Sequence, residues 1–212
     1  MNDHVVLHGF WRSGATWRLR VALGLKDIPY EYRSYHLRSG AQKTPEFRKL
    51  NPQGLVPALE IDGQVLTQSI AICEYLDGRS PEVPLLPTDL VLRAKVRAFA
   101  LTIACDVHPL QNLGTLSRLR QLGVPQEQVD GWAREVIDEG LGACSRLIEG
   151  YGGPFCFGDA ITLADVVLIA QLGNARRFGA RVDWPRFAGI EAACAALPAF
   201  ANALPELQPD AE

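Results

Sequence analysis

The chain has 212 residues, of which 48% are apolar and 21% are charged, and these proportions are ordinary for a globular protein. Its formal net charge of −3 gives no basic field to attract nucleic acid or an anionic membrane surface, so we expect neither as a partner. No apolar run approaches the roughly 20 residues that span a bilayer, and the first residues lack the basic and apolar segments of a secretory signal. We therefore expect a cytoplasmic protein.

The cysteines are scattered along the chain, at Cys73, Cys105, Cys144, Cys156 and Cys194. An odd, dispersed set without a CxxC pair disfavours both a disulfide framework and a zinc site, so we expect no metal. The pattern is typical of small buried thiols in a reducing cytosol.

The first 80 residues alternate strand and helix signals. Residues 4–8 read as a short strand, and residues 30–35 read as a second one, in which Tyr30, Tyr32 and Ser34 alternate with Glu31, Arg33 and Tyr35. Between them, apolar residues recur at i, i+3 and i+4 over residues 18–25, which predicts an amphipathic helix. The polar stretch 38–49 is predicted to hold a short, irregular helix.

A hairpin is predicted over residues 56–67. Its turn is Asp62-Gly63, a pair that supplies the positive φ angles of a two-residue turn. Pro57 is anomalous in the first strand, because proline cannot donate to a ladder. A cis bond between Val56 and Pro57 would resolve the anomaly and expose backbone groups of Val56 to a ligand.

Ser69 is predicted to cap the helix that follows the hairpin. The resulting order, β-α-β-(α)-β-β-α, is that of a thioredoxin-like domain, which we assign to residues 1–80. A proline-rich break follows, and it is typical of a linker.

The second domain, residues 88–212, is predicted to be an all-helical bundle. Apolar stripes of period 3.6 predict helices over residues 90–105, 126–148, 163–178 and 186–197. Thr162 and Asp165 form a variant capping box at the start of the third of these. We expect the tail, residues 208–212, to be frayed.

Ser13 follows the first strand and precedes the first helix. The exposed N–H groups at a helix start favour anions. A hydroxyl there can donate a hydrogen bond to a thiolate and lower the pKa of a bound thiol. From local sequence alone, a plain helix cap is the better explanation of Ser13.

Gln68 and Ser69 stand at a second helix start, close to Pro57 in a thioredoxin-like layout. Backbone N–H groups and a hydroxyl at that position suit a carboxylate. Here too a plain cap explains the residues without any ligand.

Together, these features resemble the glutathione transferases along nearly the whole chain. Within that superfamily the chain is most similar to the zeta class, the maleylacetoacetate and maleylpyruvate isomerases. The resemblance is carried by FWRS (10–13), WRLRVAL (17–23), LNP (50–52), VP (56–57), QSIAI (68–72), HPLQNL (108–113) and NARRF (174–178). It implies the glutathione transferase fold, with a thioredoxin-like domain followed by a helical bundle, and a homodimer.

The resemblance also implies that glutathione is the cofactor. It assigns Ser13 to the glutathione sulfur, the Val56 backbone to the cysteinyl moiety, and Gln68 and Ser69 to the γ-glutamyl carboxylate. Further contacts with the tripeptide or the nearby substrate are implied for Gln42, Gln53 and His108.

One departure from the zeta pattern follows Arg12. The class commonly has Ser-Ser-Cys, whereas this chain has Ser13-Gly14-Ala15. The change removes a thiol near the sulfur site and leaves Ser13 and Thr16 as hydroxyl donors. Because glutathione itself is the nucleophile, the chemistry can survive, but the substrate and the rate are left open.

Two arginines are candidates for binding an acidic substrate, since a guanidinium can hold a carboxylate bidentately. Arg177 is the first candidate and Arg12 the second, and the alternative for each is a solvated side chain. Some maleylpyruvate isomerases carry an arginine where this chain has Leu113, which favours maleylacetoacetate or a related acid.

The activity implied by the resemblance is glutathione-dependent cis–trans isomerisation of a conjugated diketo acid in aromatic degradation. A second reading keeps the same site but consumes glutathione, by conjugation, reductive dehalogenation or ether cleavage. A third reading is a non-catalytic, transferase-like module used for assembly.

Overall fold

The computed structural model describes residues 4–212 and divides into two compact units. The first unit holds the described residues up to Leu85 together with Ala195–Glu212, and the second holds Leu86–Cys194. Residues 1–3, where the sequence shows no features of a secretory signal, lie outside the described part. The units differ from the predicted domains, residues 1–80 and 88–212, because the final segment packs with the first unit.

The first unit is built around a mixed four-stranded sheet. Its strands are β1 (Val6–Gly9), β2 (Glu31–Ser34), β3 (Ala58–Ile61) and β4 (Gln64–Thr67), in the spatial order β2-β1-β3-β4. β1 is parallel to β2 and antiparallel to β3, and β3 is antiparallel to β4.

Three helices of the first unit follow strands of this sheet. They are α1 (Gly14–Leu25), α2 (Pro45–Leu50) and α3 (Ser69–Arg79). Two 3-10 turns, Leu37–Ser39 and Ala41–Lys43, lie between β2 and α2. This order of elements confirms the predicted thioredoxin-like fold.

The hairpin of β3 and β4 turns at Asp62 and Gly63, whose φ angles are 50° and 73°. The Val56-Pro57 bond is cis, as predicted. Pro57 precedes β3 and lies outside its pairing register, so its missing N–H costs the ladder no hydrogen bond.

Ser69 does not cap α3, contrary to the prediction. Gln68 is the N-cap, with a φ of 69°, and its carbonyl accepts the first helical bond from Ile72 at 2.9 Å. The helix therefore begins one residue earlier than predicted, and the Ser69 side chain is not used for capping.

The second unit is helical. Its helices are α4 (Leu90–Leu101), α5 (His108–Gln111), α6 (Leu113–Gln121), α7 (Gln126–Leu147), α8 (Leu163–Phe178) and α9 (Phe187–Ala195). The prediction missed α5 and α6. Over residues 4–212, no helix is both long and apolar enough to cross a membrane.

The predicted helix over residues 90–105 ends early. After α4 the backbone widens into a π-helical segment, Thr102–Val107, which leads directly into α5. Pro109 has no N–H to offer the carbonyl of Cys105 four residues earlier, so the regular α-helical bonding is interrupted there.

The predicted capping box at the start of α8 is confirmed. The carboxylate of Asp165 accepts hydrogen bonds from the Thr162 N–H at 2.8 Å and from the Thr162 hydroxyl at 2.9 Å. It also accepts a bond from the N–H of Cys156 at 2.7 Å. Burial raises the pKa of Asp165 despite these bonds.

All five cysteines are free thiols, and four of them are buried. Burial raises the pKa of Cys73 and of Cys144 to about 12, which suits inert core thiols. The prediction is wrong for Cys105, which is exposed in the π-helical segment.

The tail is not frayed, contrary to the prediction. After α10 (Pro198–Ala201), which packs on α1, the carboxylate of Asp210 accepts hydrogen bonds from β2 and from the loop that precedes α1. The close approach of α10 favours glycine at position 24, where a Cβ atom would lie 3.2 Å from the backbone of Ala199.

Candidate functional site

Ser13 is the N-cap of α1 and is half-buried. Its hydroxyl oxygen accepts a hydrogen bond from the N–H of Thr16 at 3.2 Å. Accepting this bond leaves the hydroxyl hydrogen available to donate to a ligand. The two readings of Ser13, helix cap and thiolate donor, are therefore compatible.

The turn that carries Ser13 is closely packed. The Ser13 N–H donates to the carbonyl of Phe10 at 3.0 Å. A Cβ atom at Gly9 would lie 2.3 Å from the methyl group of Thr16, so this approach requires glycine. Thr16 is fully buried, and its hydroxyl accepts from the N–H of Phe10 at 3.5 Å. Of the two predicted hydroxyl donors, Ser13 is therefore the more accessible.

Ser69 lies in the first turn of α3, and its hydroxyl is bonded to α1. The buried guanidinium of Arg18 donates from Nη1 to Ser69 Oγ at 3.2 Å. Ser69 can accept this bond and still donate its own hydrogen. A positive charge thus lies directly beside a helix N-terminus, which favours an anionic ligand there.

The loop before β3 brings two predicted residues together. The side-chain amide of Gln68 donates to the side-chain carbonyl of Gln53 at 2.9 Å. Asn51 holds this loop, because its side chain accepts from the N–H of Gln53 at 3.1 Å and donates to the carbonyl of Leu55 at 2.6 Å. Val56 is half-buried in the same loop, two residues before β3.

Gln42 lies against this loop. A Cβ atom at Gly54 would come within 3.1 Å of the Gln42 carbonyl. The Gln42 side chain is buried and donates to the carbonyl of Leu37 at 3.4 Å. Its Oε1 atom is buried and has no hydrogen-bond partner within residues 4–212.

Arg12 is half-buried, and its guanidinium lies over the ring of Trp11, 5.2 Å from the ring centroid. This cation–π contact orients the side chain beside Ser13.

The remaining two predicted residues belong to the second unit. His108 begins α5 and is half-buried, and Arg177 is exposed in the last turn of α8. The neighbouring Arg176 forms two hydrogen bonds with Glu191, at 2.6 and 2.5 Å, so its guanidinium is occupied within the unit.

Comparison with known proteins agrees with this geometry. Residues 12–79 match the family model of the glutathione S-transferase N-terminal domain. A maleylacetoacetate isomerase of Dictyostelium discoideum is 42% identical over 213 residues, which covers 99% of this chain and 97% of that protein.

Two solved structures are close in both sequence and fold. The holo structure of a bacterial maleylpyruvate isomerase, described as a zeta-class glutathione transferase, superposes with a TM-score of 0.94 at 42% identity. It covers 98% of this chain and 100% of its own. This chain is a zeta-class glutathione transferase. A maleylacetoacetate isomerase of Methylobacterium extorquens AM1, with bound malonate and glutathione, gives a TM-score of 0.93 at 39% identity and covers 98% of this chain and 99% of its own.

Sequence reasoning missed two residues that contact or hold the predicted site residues of the first unit. Arg18 shows a detectable signal, since it is a charged residue next to Trp17 and Leu19 on a helix that is buried almost throughout. Asn51 carries a weaker one, as a residue with a short amide side chain directly before a proline.

A third missed residue, Gln171, joins the two zeta-like segments of the second unit. It is fully buried in α8, and its side-chain oxygen accepts from Gln111 at 3.4 Å and from Asn174 at 3.3 Å. A glutamine within the apolar stripe of a helix is the signal that could have identified it.

Proposed function

We propose that this zeta-class glutathione transferase is a glutathione-dependent cis–trans isomerase of a conjugated diketo acid, of the maleylacetoacetate or maleylpyruvate type. The observation that carries the proposal is Ser13, whose hydroxyl caps α1 and keeps its hydrogen available for a sulfur ligand. Relatives matched over nearly the full length of this chain are named for both activities, which supports it.

The residues of the first unit fit glutathione. The starts of α1 and α3 and the charge of Arg18 suit a ligand with a thiolate and a carboxylate. We assign the γ-glutamyl carboxylate to Gln68 and Ser69, and the cysteinyl backbone to Val56. Gln53 and His108 complete the proposed contacts with the tripeptide or the substrate.

Glutathione supplies a thiol that adds reversibly to the alkene and is returned unchanged, so that rotation about the former double bond becomes possible. Ser13 donates a hydrogen bond to the sulfur and, with the N-terminus of α1, stabilises the thiolate form. Arg177 binds a carboxylate of the substrate, with Arg12 as a second cation for the acid or for charge developing on its carbonyl.

A turnover assay with and without glutathione tests this proposal. Gel-filtered protein should not isomerise maleylacetoacetate or maleylpyruvate, and added glutathione should restore turnover without being consumed. Full activity without any thiol would refute the proposal. Stoichiometric loss of glutathione would instead favour conjugation, and failure to bind a glutathione resin would favour a non-catalytic module.

We further propose that the enzyme is a cytoplasmic homodimer. The free thiols and the use of glutathione suit a reducing compartment. Leu90 and Val91, 79% and 65% exposed at the start of α4, are apolar side chains that a partner chain could cover. Light scattering should give twice the mass of one chain, and a monomer mass would contradict the dimer.

A further inference from the structure

The segment around Asp210 is tied to the loop that presents Ser13. Asp210 Oδ2 accepts a hydrogen bond from the backbone N–H of Trp11 at 3.1 Å. The same oxygen accepts from the hydroxyl of Tyr32 at 3.3 Å and from the hydroxyl of Ser34. A carboxylate 199 positions away in sequence is thus anchored on β2 and holds a backbone group two residues before Ser13.

The other side of Trp11 is held as well. Arg20, 2% exposed, donates from Nη2 to the carbonyl of Trp11 and from Nε to the carbonyl of Ala203, each at 3.1 Å. The peptide groups on both sides of the Trp11 Cα atom are therefore each fixed by a charged side chain. Both attachments lead to the same segment, which runs from Ala203 to Asp210.

The position of Ser13 depends on this arrangement. The Ser13 N–H is bonded to the carbonyl of Phe10, and the N–H of Trp11 belongs to the same peptide group as that carbonyl. A shift of this peptide would therefore move the start of α1. Apolar packing alone would not require a carboxylate here, since buried charge is costly unless it is used. Asp210 Oδ1 is also buried, with no hydrogen-bond partner within residues 4–212.

We propose that Asp210 is a positioning residue for the reaction, acting through the peptide that precedes Trp11 to hold the Ser13 hydroxyl in place for the sulfur. The inference rests on the proposed function. A misplacement of about 1 Å in an active site can cost roughly 100-fold in rate. Asp210→Ala is therefore expected to lower kcat by about 10- to 100-fold. Because Asp210 touches neither Gln68 nor Ser69, the Kd for glutathione should change by less than about twofold.

The test compares Asp210→Ala, Asp210→Asn and Ser13→Ala with Glu206→Ala, an exposed acidic residue of the same segment, as the control. Asp210→Asn is nearly isosteric and can still accept the Trp11 bond, so it should recover part of the lost rate. In the double variant Ser13→Ala/Asp210→Ala, the loss should be no greater than in Ser13→Ala alone, since one residue acts through the other. Losses that multiply would overturn the proposal.

Amide hydrogen exchange of residues 10–13 in the absence of glutathione gives a readout independent of turnover. Asp210→Ala should speed the exchange of the Trp11 amide by about tenfold or more, and Glu206→Ala should leave it unchanged. Unchanged exchange or wild-type kcat in Asp210→Ala would overturn the positioning role and leave the proposed function standing. If Asp210→Ala does not fold, Asp210→Leu replaces it, because its apolar side chain fills similar space and cannot accept the Trp11 bond. A wild-type kcat in that variant would overturn the positioning role as well. A wild-type chain without glutathione-dependent turnover would overturn both proposals.

Discussion

Ser69→Ala is the most direct perturbation of the proposed carboxylate site. The Ser69 hydroxyl accepts from Arg18 at 3.2 Å and can still donate its own hydrogen to a ligand. A hydrogen bond to a charged group contributes about 1.5–3 kcal/mol, and about 1.4 kcal/mol is a tenfold change in affinity. We therefore expect Ser69→Ala to raise the Kd for glutathione by about 10- to 150-fold.

Isothermal titration of the apo protein measures this change. Ser80→Ala, at the opposite end of α3, is the matched control. Lys26 is bonded to the backbone carbonyl of Ser80, and an alanine at this position retains that carbonyl. Titration with S-methylglutathione separates the carboxylate from the thiol: Ser69→Ala should weaken both ligands equally. Gln68→Ala should weaken binding in the same direction.

Two outcomes would refute this reasoning. An unchanged Kd in both Ser69→Ala and Gln68→Ala would mean that the carboxylate binds elsewhere. An equal loss in Ser80→Ala would mean that affinity follows the stability of α3 rather than the Ser69 hydroxyl. A thermal melt of each variant separates a loss of stability from the loss of a contact with the ligand. This measurement is needed because Ser69→Ala also removes a hydrogen-bond acceptor of the buried Arg18.

Two further predictions concern the second unit. Arg177→Ala should raise the KM for a diketo acid by about tenfold or more. Arg177→Lys should recover only part of that loss, because an ammonium group cannot make the two-pronged contact with a carboxylate. Turnover of a neutral aromatic electrophile should be unaffected by either change. Asp165→Ala should lower the free energy of unfolding by about 3 kcal/mol, because it strands the buried donors of Thr162 and Cys156, whereas Asp159→Ala, on the exposed loop before α8, should change it by less than about 0.5 kcal/mol in the same denaturant titration.

Contrary results would revise specific assignments. Equal losses on acidic and neutral substrates would mean that Arg177 supports the fold or the glutathione site, and conjugation would become the better proposal. A stability of Asp165→Ala equal to that of Asp159→Ala would mean that the capping box contributes little to the second unit.

Sequence reasoning succeeded where the signal is local. Asp62-Gly63 specified a turn, and Thr162 with Asp165 specified a helix start, because the residues that interact are within four positions of each other.

The contacts that were missed join residues far apart in sequence. Arg18 and Ser69 are 51 positions apart, and Trp11 and Asp210 are 199 apart. Nothing in the pattern around Asp210 distinguishes it from a solvated acidic residue at the end of a chain. Only the packing of α10 and the segment after it on α1 brings that carboxylate to the loop before Ser13.

The pKa of the bound glutathione thiol tests the central claim about Ser13 most directly. The ultraviolet absorbance of the thiolate, followed against pH, measures it in the wild type, in Ser13→Ala and in Ser80→Ala. A free thiol of this kind has a pKa of about 8.5. The wild type and Ser80→Ala should titrate below that value, because the Ser13 hydroxyl and the start of α1 stabilise the thiolate, and Ser13→Ala should titrate closer to it. The same thiol pKa in all three proteins would contradict the account.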